Sequence, residues 1–130
     1  MILDTSAILA VLLAEQDSGR LLRRIADSPV VAAGAPTILE TALVLSSRLP
    51  RNARGLLNDF LREADIEIIP FTHDHYYAAL DAFERYGKGR HPAALNFGDC
   101  MTYAVARISG MPLLFTGRDF SKTDILRAQS

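Results

Sequence analysis

Met1-Ile2-Leu3-Asp4-Thr5-Ser6-Ala7 opens the chain, and the fold follows from it. Ile2 and Leu3 are apolar and suit a buried strand. Asp4 interrupts them, and Ser6 is placed to cap an apolar helix expected over residues 7–13. A strand that ends on an acid and turns into a helix sets that acid at the carboxyl edge of a sheet. In open α/β folds this is the edge where ligands bind. A lone acid there is commonly a turn or capping residue, so the weight of Asp4 depends on partners supplied from elsewhere.

The same alternation continues outward from this stretch. Asp17 is placed to cap a second helix through Leu21, Leu22 and Ile25, with Arg20, Arg23 and Arg24 on its other side and Pro29 ending it. Residues 30–33, closed by Gly34, read as a strand. Pro36 or Thr37 opens a helix whose apolar face is Ile38, Ala42, Leu45 and Leu49, stopped by Pro50. Residues 51–64 form a further helix with Leu57 and Leu61 inward, and residues 66–69 a third strand ended by Pro70. Thr72 caps a helix over 73–86 with Tyr76, Leu80 and Phe83 as its expected stripe. Residues 87–92 form a basic, flexible loop. Asn96 caps a helix with Phe97, Cys100, Met101, Ala104, Val105 and Ile108 on one face, ended by Gly110. Residues 113–115 are the fourth strand, 116–119 a turn, and the tail from 120 to 130 has no firm assignment. The expectation is one domain over 1–130, a three-layer α/β/α sandwich on a mainly parallel sheet of four to five strands.

Composition narrows the function classes. Of 130 residues, 49% are hydrophobic and 22% charged, which excludes a disordered tail. The longest apolar run, 7–14, is too short to span a bilayer, and the amino end lacks the basic stretch of a signal peptide. One cysteine, Cys100, cannot make an internal disulfide, so a reducing cytoplasm is expected. The net charge of −1 is neutral on nucleic acid, although setting four acids aside for a metal leaves the remainder mildly basic.

Those four acids are Asp4, Glu40, Asp99 and Asp119. A crossover helix in a right-handed β-α-β unit runs antiparallel to the strands. Its amino end therefore shares an edge with the strands' carboxyl ends. Asp4 and Asp119 follow strands, while Glu40 and Asp99 lie near helix starts. Singly each has a structural explanation: a capping box over residues 37–40 for Glu40, a favourable helix dipole for Asp99, a cap for Asp119. Jointly they repel, at about 4 kcal/mol per close pair for an effective dielectric near 20. A hard divalent cation, Mg²⁺ or Mn²⁺, relieves such crowding and suits phosphodiester hydrolysis. Asp4 and Asp99 are the expected primary ligands. Glu40 and Asp119 would orient water or hold a second ion, with Ser6 and Thr116 as donors supporting the carboxylates.

Other chemistries fit less well. His73 and His75 lie two apart at a helix start, a poor zinc spacing, and read as exposed first-turn residues. There is no Gly-x-Gly-x-x-Gly after the first strand and no phosphate-binding Walker loop. A phosphatase with an Asp nucleophile needs a second Asp where Ser6 stands. A receiver domain needs an Asp after the third strand, where Pro70 and Phe71 stand.

At this point the chain resembles a known family. The opening seven residues, Glu40, the run Arg85-Tyr86-Gly87-Lys88-Gly89-Arg90-His91-Pro92-Ala93 and then Leu95-Asn96-Phe97-Gly98-Asp99-Cys100 look like PIN-domain ribonucleases of the VapC type. So do Pro112-Leu113-Leu114-Phe115, Gly117 and Asp119-Phe120-Ser121-Lys122-Thr123-Asp124-Ile125. The resemblance covers the whole chain and departs at Arg118, where relatives often carry Asn or Asp. It implies a bacterial toxin, Mg²⁺-dependent endonucleolytic cleavage of RNA, a homodimer, and inhibition by a small VapB-type antitoxin lying across the acidic pocket. Lys88, Arg90 and His91 then become expected contacts to the RNA backbone. Arg20, Arg23, Arg24, Arg48, Arg51 and Arg54 are expected to be solvated or part of an antitoxin interface. A PIN domain that binds RNA without cutting it stays open as the alternative.

Overall fold

Ile2 and Leu3, adjacent in sequence, point to opposite faces of the sheet, and each face carries its own core. In the computed structural model, which describes residues 1–128, four strands lie in the order β3-β2-β1-β4. They are β1 Ile2–Leu3, β2 Val31–Gly34, β3 Ile66–Ile69 and β4 Leu113–Leu114, and every pairing is parallel. Leu113 also bridges to Arg127 beyond β4. The last two positions of the unassigned tail, and of the expected 1–130 span, lie outside the described residues.

Leu3, Val31, Ala33, Ile66 and Leu114 join one core with α1 (Thr5–Leu12), α2 (Ser18–Ala26), α3 (Ala35–Arg48) and α4 (Ala53–Glu63). Ile2, Ala32, Leu113 and Phe115 join the other with α5 (His73–Tyr86) and α6 (Phe97–Ser109). Period-two alternation along a strand produces this split, and the α/β/α sandwich expected from the sequence is what forms. No helix among the described residues is long and apolar enough to cross a membrane.

Several local expectations change. Helix α1 begins at Thr5, and its cap is Asp4 rather than Ser6. Asp17 holds the cap position of α2 but makes no capping bond; its carboxylate pairs with Arg20 at 3.5 Å. Helix α3 begins at Ala35 with Pro36 in its first turn, so the expected capping box of Thr37 and Glu40 does not form. Its innermost line is Thr37, Thr41 and Leu45. On α5 the inward residues are His75 and Ala82, while Tyr76, Leu80 and Phe83 face out. Alanines at 79 and 82 pack toward α6 and the sheet, which lets α5 approach closely and leaves no room for the larger rings. His75 is buried, contrary to the exposed position expected. Its Nδ1 accepts from the Thr72 amide at 3.0 Å, completing a capping box. Helix α6 is covered by the sheet, α3 and α5, so Cys100, Thr102, Tyr103, Ala104, Val105 and Ala106 are all buried while Phe97 and Ile108 are exposed. The loop read as flexible is closed by hydrogen bonds: the Lys88 amide donates to the Leu95 carbonyl and the Leu95 amide to that of Tyr86.

Candidate active site

Asp4 leaves β1 at its carboxyl end and becomes the cap of α1. Its Oδ2 accepts from the Ser6 amide at 3.1 Å and from the Ser6 hydroxyl at 2.6 Å. Ser6 Oγ in turn accepts from the Thr116 amide at 3.0 Å, tying the end of β1 to the end of β4. Thr116 thus donates through its backbone amide, and reaches Asp4 by way of Ser6. From α6, the Thr102 hydroxyl also bonds Asp4, and it lies 3.1 Å from the Thr37 hydroxyl of α3. Burial pushes the Asp4 pKa up, and the charge of Glu40 adds to this; the Ser6 and Thr102 bonds work against it.

Asp99 is the third residue of α6. Its Oδ2 accepts from the Asn96 amide at 3.1 Å, and Asn96 Oδ1 accepts from the Asp99 amide at 2.8 Å. It therefore completes a capping box while standing beside the other acids. Its pKa is pushed up to about 6, first by burial and then by the charges of Asp4, Asp119 and Glu40, with the Asn96 amide opposing. Glu40, one turn into α3, accepts from the Thr5 hydroxyl at 2.6 Å through Oε1. Asp119 opens a short 3₁₀ helix, Asp119–Lys122, and is exposed. Arg118 beside it is exposed too, and among the described residues the two form no ion pair.

Four oxygen-only side chains thus act electrostatically on one another at the carboxyl edge of the sheet. Among the described residues, no three His, Cys, Asp or Glu side chains stand close enough to enclose a metal ion as placed. The reason is visible in the bonds: Asp4 is turned onto Ser6, Glu40 onto Thr5 and Asp99 onto the Asn96 amide. The donor chemistry still fits a hard divalent cation, since crowded carboxylates gain by facing one. Asp4, Asp99, Glu40 and Asp119 are the residues that could hold it.

The basic loop is placed differently. The Arg90 guanidinium lies over the Phe83 ring at 5.2 Å, and His91 Nδ1 accepts from the Ala93 amide at 3.0 Å. Lys88 is exposed, and among the described residues none of the three pairs with a site carboxylate. Next to the acidic edge runs an apolar groove, two adjoining hollows of about 710 and 570 Å³ that share Phe71, Phe97 and Met101. Leu39, Leu43 and Phe97, on its rim, are 61%, 63% and 79% exposed. Glu40 and Gly98 line the first hollow.

Thr5, Thr37 and Thr102 were not expected at the site. Thr102 follows Asp99 by three positions, so helical spacing alone puts it on the same side of α6. Nothing in the local sequence pairs it with Thr37, 65 residues away.

A PIN domain model matches residues 1–126. A ribonuclease VapC of Mycolicibacterium smegmatis is 43% identical over 125 residues, covering 96% of this chain and 97% of that protein. Ribonuclease VapC36 of Mycobacterium tuberculosis is 44% identical over 128 residues, covering 96% and 91%. Among solved structures, Mycobacterium tuberculosis VapC20, described as a sarcin-ricin loop cleaving toxin, superposes with a TM-score of 0.80 at 21% identity, covering 99% and 98%. VapBC2 of Rickettsia felis, bound to a promoter DNA fragment, superposes at 0.76 with 15% identity, covering 98% and 96%. These two support the fold.

Proposed function

The chain belongs to the PIN-domain family of VapC ribonucleases, the toxins of VapBC toxin–antitoxin systems, and on that premise we propose a Mg²⁺-dependent endoribonuclease acting through Asp4, Glu40, Asp99 and Asp119. The observation that carries the metal-site reading is the gathering of Asp4, Glu40, Asp99 and Asp119 at the carboxyl edge of the sheet, where burial first and then the three neighbouring charges push the Asp99 pKa up to about 6. These four carboxylates would hold Mg²⁺ or Mn²⁺, which when bound would supply charge to offset that of the scissile phosphate and a more acidic water.

The chain's own residues supply the rest. Asp4 and Asp99 are the primary ligands. Ser6 and Thr102 hold the Asp4 carboxylate in one orientation, and the Thr116 amide fixes Ser6. Glu40, anchored through Oε1 by the Thr5 hydroxyl, orients a water. Asp119, at the exposed rim, does the same or holds a second ion. Lys88, Arg90 and His91 contact the RNA backbone once it lies along the edge, adding affinity without sequence choice.

Two partners complete the reading. A VapB-type antitoxin blocks the acidic edge, and two toxin copies pair through the apolar groove, in the cytoplasm. An exposed apolar surface of this extent, beside a charged site, is typical of an interface.

Cleavage-site mapping on total RNA with Mg²⁺, with Mn²⁺ and with chelator tests the activity and identifies the target. Discrete cuts that need the metal are expected. Cuts that survive chelation would overturn the metal site, and RNA binding without cuts in either metal would favour the binding module.

A further inference from the structure

The second residue of α6, Gly98, has no backbone reason to be glycine. It sits in a helix, and it is absent from the glycines with positive φ, which are Gly89, Gly110 and Gly117. Helix propensity alone favours alanine there. What the position lacks is space. A Cβ on Gly98 would overlap Glu40 Oε2 and lie 3.0 Å from both Cδ and Oε1. On its other side Glu40 is held by the Thr5 hydroxyl at 2.6 Å.

From this we infer that Gly98 and Thr5 are positioning residues that together seat the Glu40 carboxylate against the first turn of α6. The seat places Glu40 against the residue that precedes Asp99, at the amino end of a helix of 13 residues, where an anion is favoured. A side chain at 98 would displace a flexible carboxylate rather than backbone, so the fold survives and the site does not. The inference rests on the reading of Glu40 as a working group of the active site.

Gly98→Ala and Glu40→Gln, alone and combined, test it in the whole 130-residue chain. Displacing a catalytic group by about 1 Å costs on the order of 10²-fold. Gly98→Ala is therefore expected to lower kcat on a defined RNA oligonucleotide by roughly that factor, with KM unchanged. Its melting temperature should be no lower than wild type, and its Mn²⁺ affinity by calorimetry should be weaker. In the Glu40→Gln background it should change nothing further. Thr5→Val approaches from the other side with the same pattern, and Thr5→Ser should retain activity. That pair carries the test if Gly98→Ala does not fold. Wild-type cleavage by Gly98→Ala beside an inactive Glu40→Gln overturns the seat while leaving the active site intact. Additive loss in the double variant also overturns it. Wild-type cleavage by Glu40→Gln overturns the role of Glu40 and the seat with it.

Discussion

Asp4 and Asp99 differ in how they are held, and the difference sets what their substitution does. Asp4 is buried and met by hydroxyls, whereas Asp99 is half-buried and crowded by charge. Asp4→Asn and Asp99→Asn should each abolish metal-stimulated cleavage, read on labelled RNA, with circular dichroism unchanged. Thr102→Val removes the hydroxyl between Asp4 and Thr37 and leaves buried groups short of a partner. It should cost about 1–3 kcal/mol by urea unfolding, with Thr102→Ser restoring most of it. Asp99 also makes a pH prediction. Its folded pKa of about 6 lies above the ordinary 3.8, so the folded state binds the proton more tightly. The stability it contributes is full below pH ~4 and is lost as pH rises through ~6. Metal-free toxin should therefore melt lower above pH ~6 than near pH ~4 from this group, and Asp99→Asn should flatten that slope. A slope unchanged in the variant would place the titration elsewhere.

At the scale of elements, the tail is latched. The Tyr103 hydroxyl donates to Asp124 Oδ1 at 2.5 Å, and Arg107 and Arg85 reach Oδ2 at 2.9 and 3.3 Å. Burial alone would raise the Asp124 pKa, but the hydroxyl and the two guanidiniums hold it below the usual range. Its contribution is present above the ordinary carboxylate pKa and is lost as pH falls through the lowered one. Upstream in the same tail, Phe120 packs on Phe115 at 5.3 Å, and Asp119 precedes it. Asp124→Ala should speed hydrogen exchange across residues 119–128 and reduce cleavage, with α1 to α4 unchanged. Its global cost should stay near ~1 kcal/mol, since exposed ion pairs contribute little. Equal protection in both proteins would show that the tail does not need the latch. The helices also show what periodicity can and cannot say. The spacing of Tyr76, Leu80 and Phe83 correctly marked a helix, but the stripe faces out. A 3.6-residue period finds an apolar face and is silent on which neighbour, if any, covers it.

For the molecule as a whole, that uncovered face is the clearest surface feature. Leu39 and Leu43 of α3, Leu80 and Phe83 of α5, and Phe97 of α6 share it. The proposed pairing through this groove predicts that Leu43→Glu or Phe83→Glu lowers the mass in light scattering from two copies to one without lowering helix content. Unchanged mass would remove this groove as the pairing surface.

The sequence by itself determined the alternation of strands and helices, the parallel sheet, and the edge on which Asp4, Glu40, Asp99 and Asp119 meet. Chirality and short connections make that edge a consequence of element order. It also carried the family, through motifs spread along its length. Only the tertiary structure decided how each carboxylate is held: Asp4 by Ser6 and Thr102, Glu40 between Thr5 and Gly98, Asp99 by its own cap. It decided that Glu40 is no capping residue, because α3 starts two residues before Thr37 and turns the Thr37 hydroxyl to Thr102. It also decided that His75 is buried and that the α5 stripe is not. The physical reason is the same in each case. Local pattern selects an element, whereas the partner of a side chain is set by which distant element packs over it.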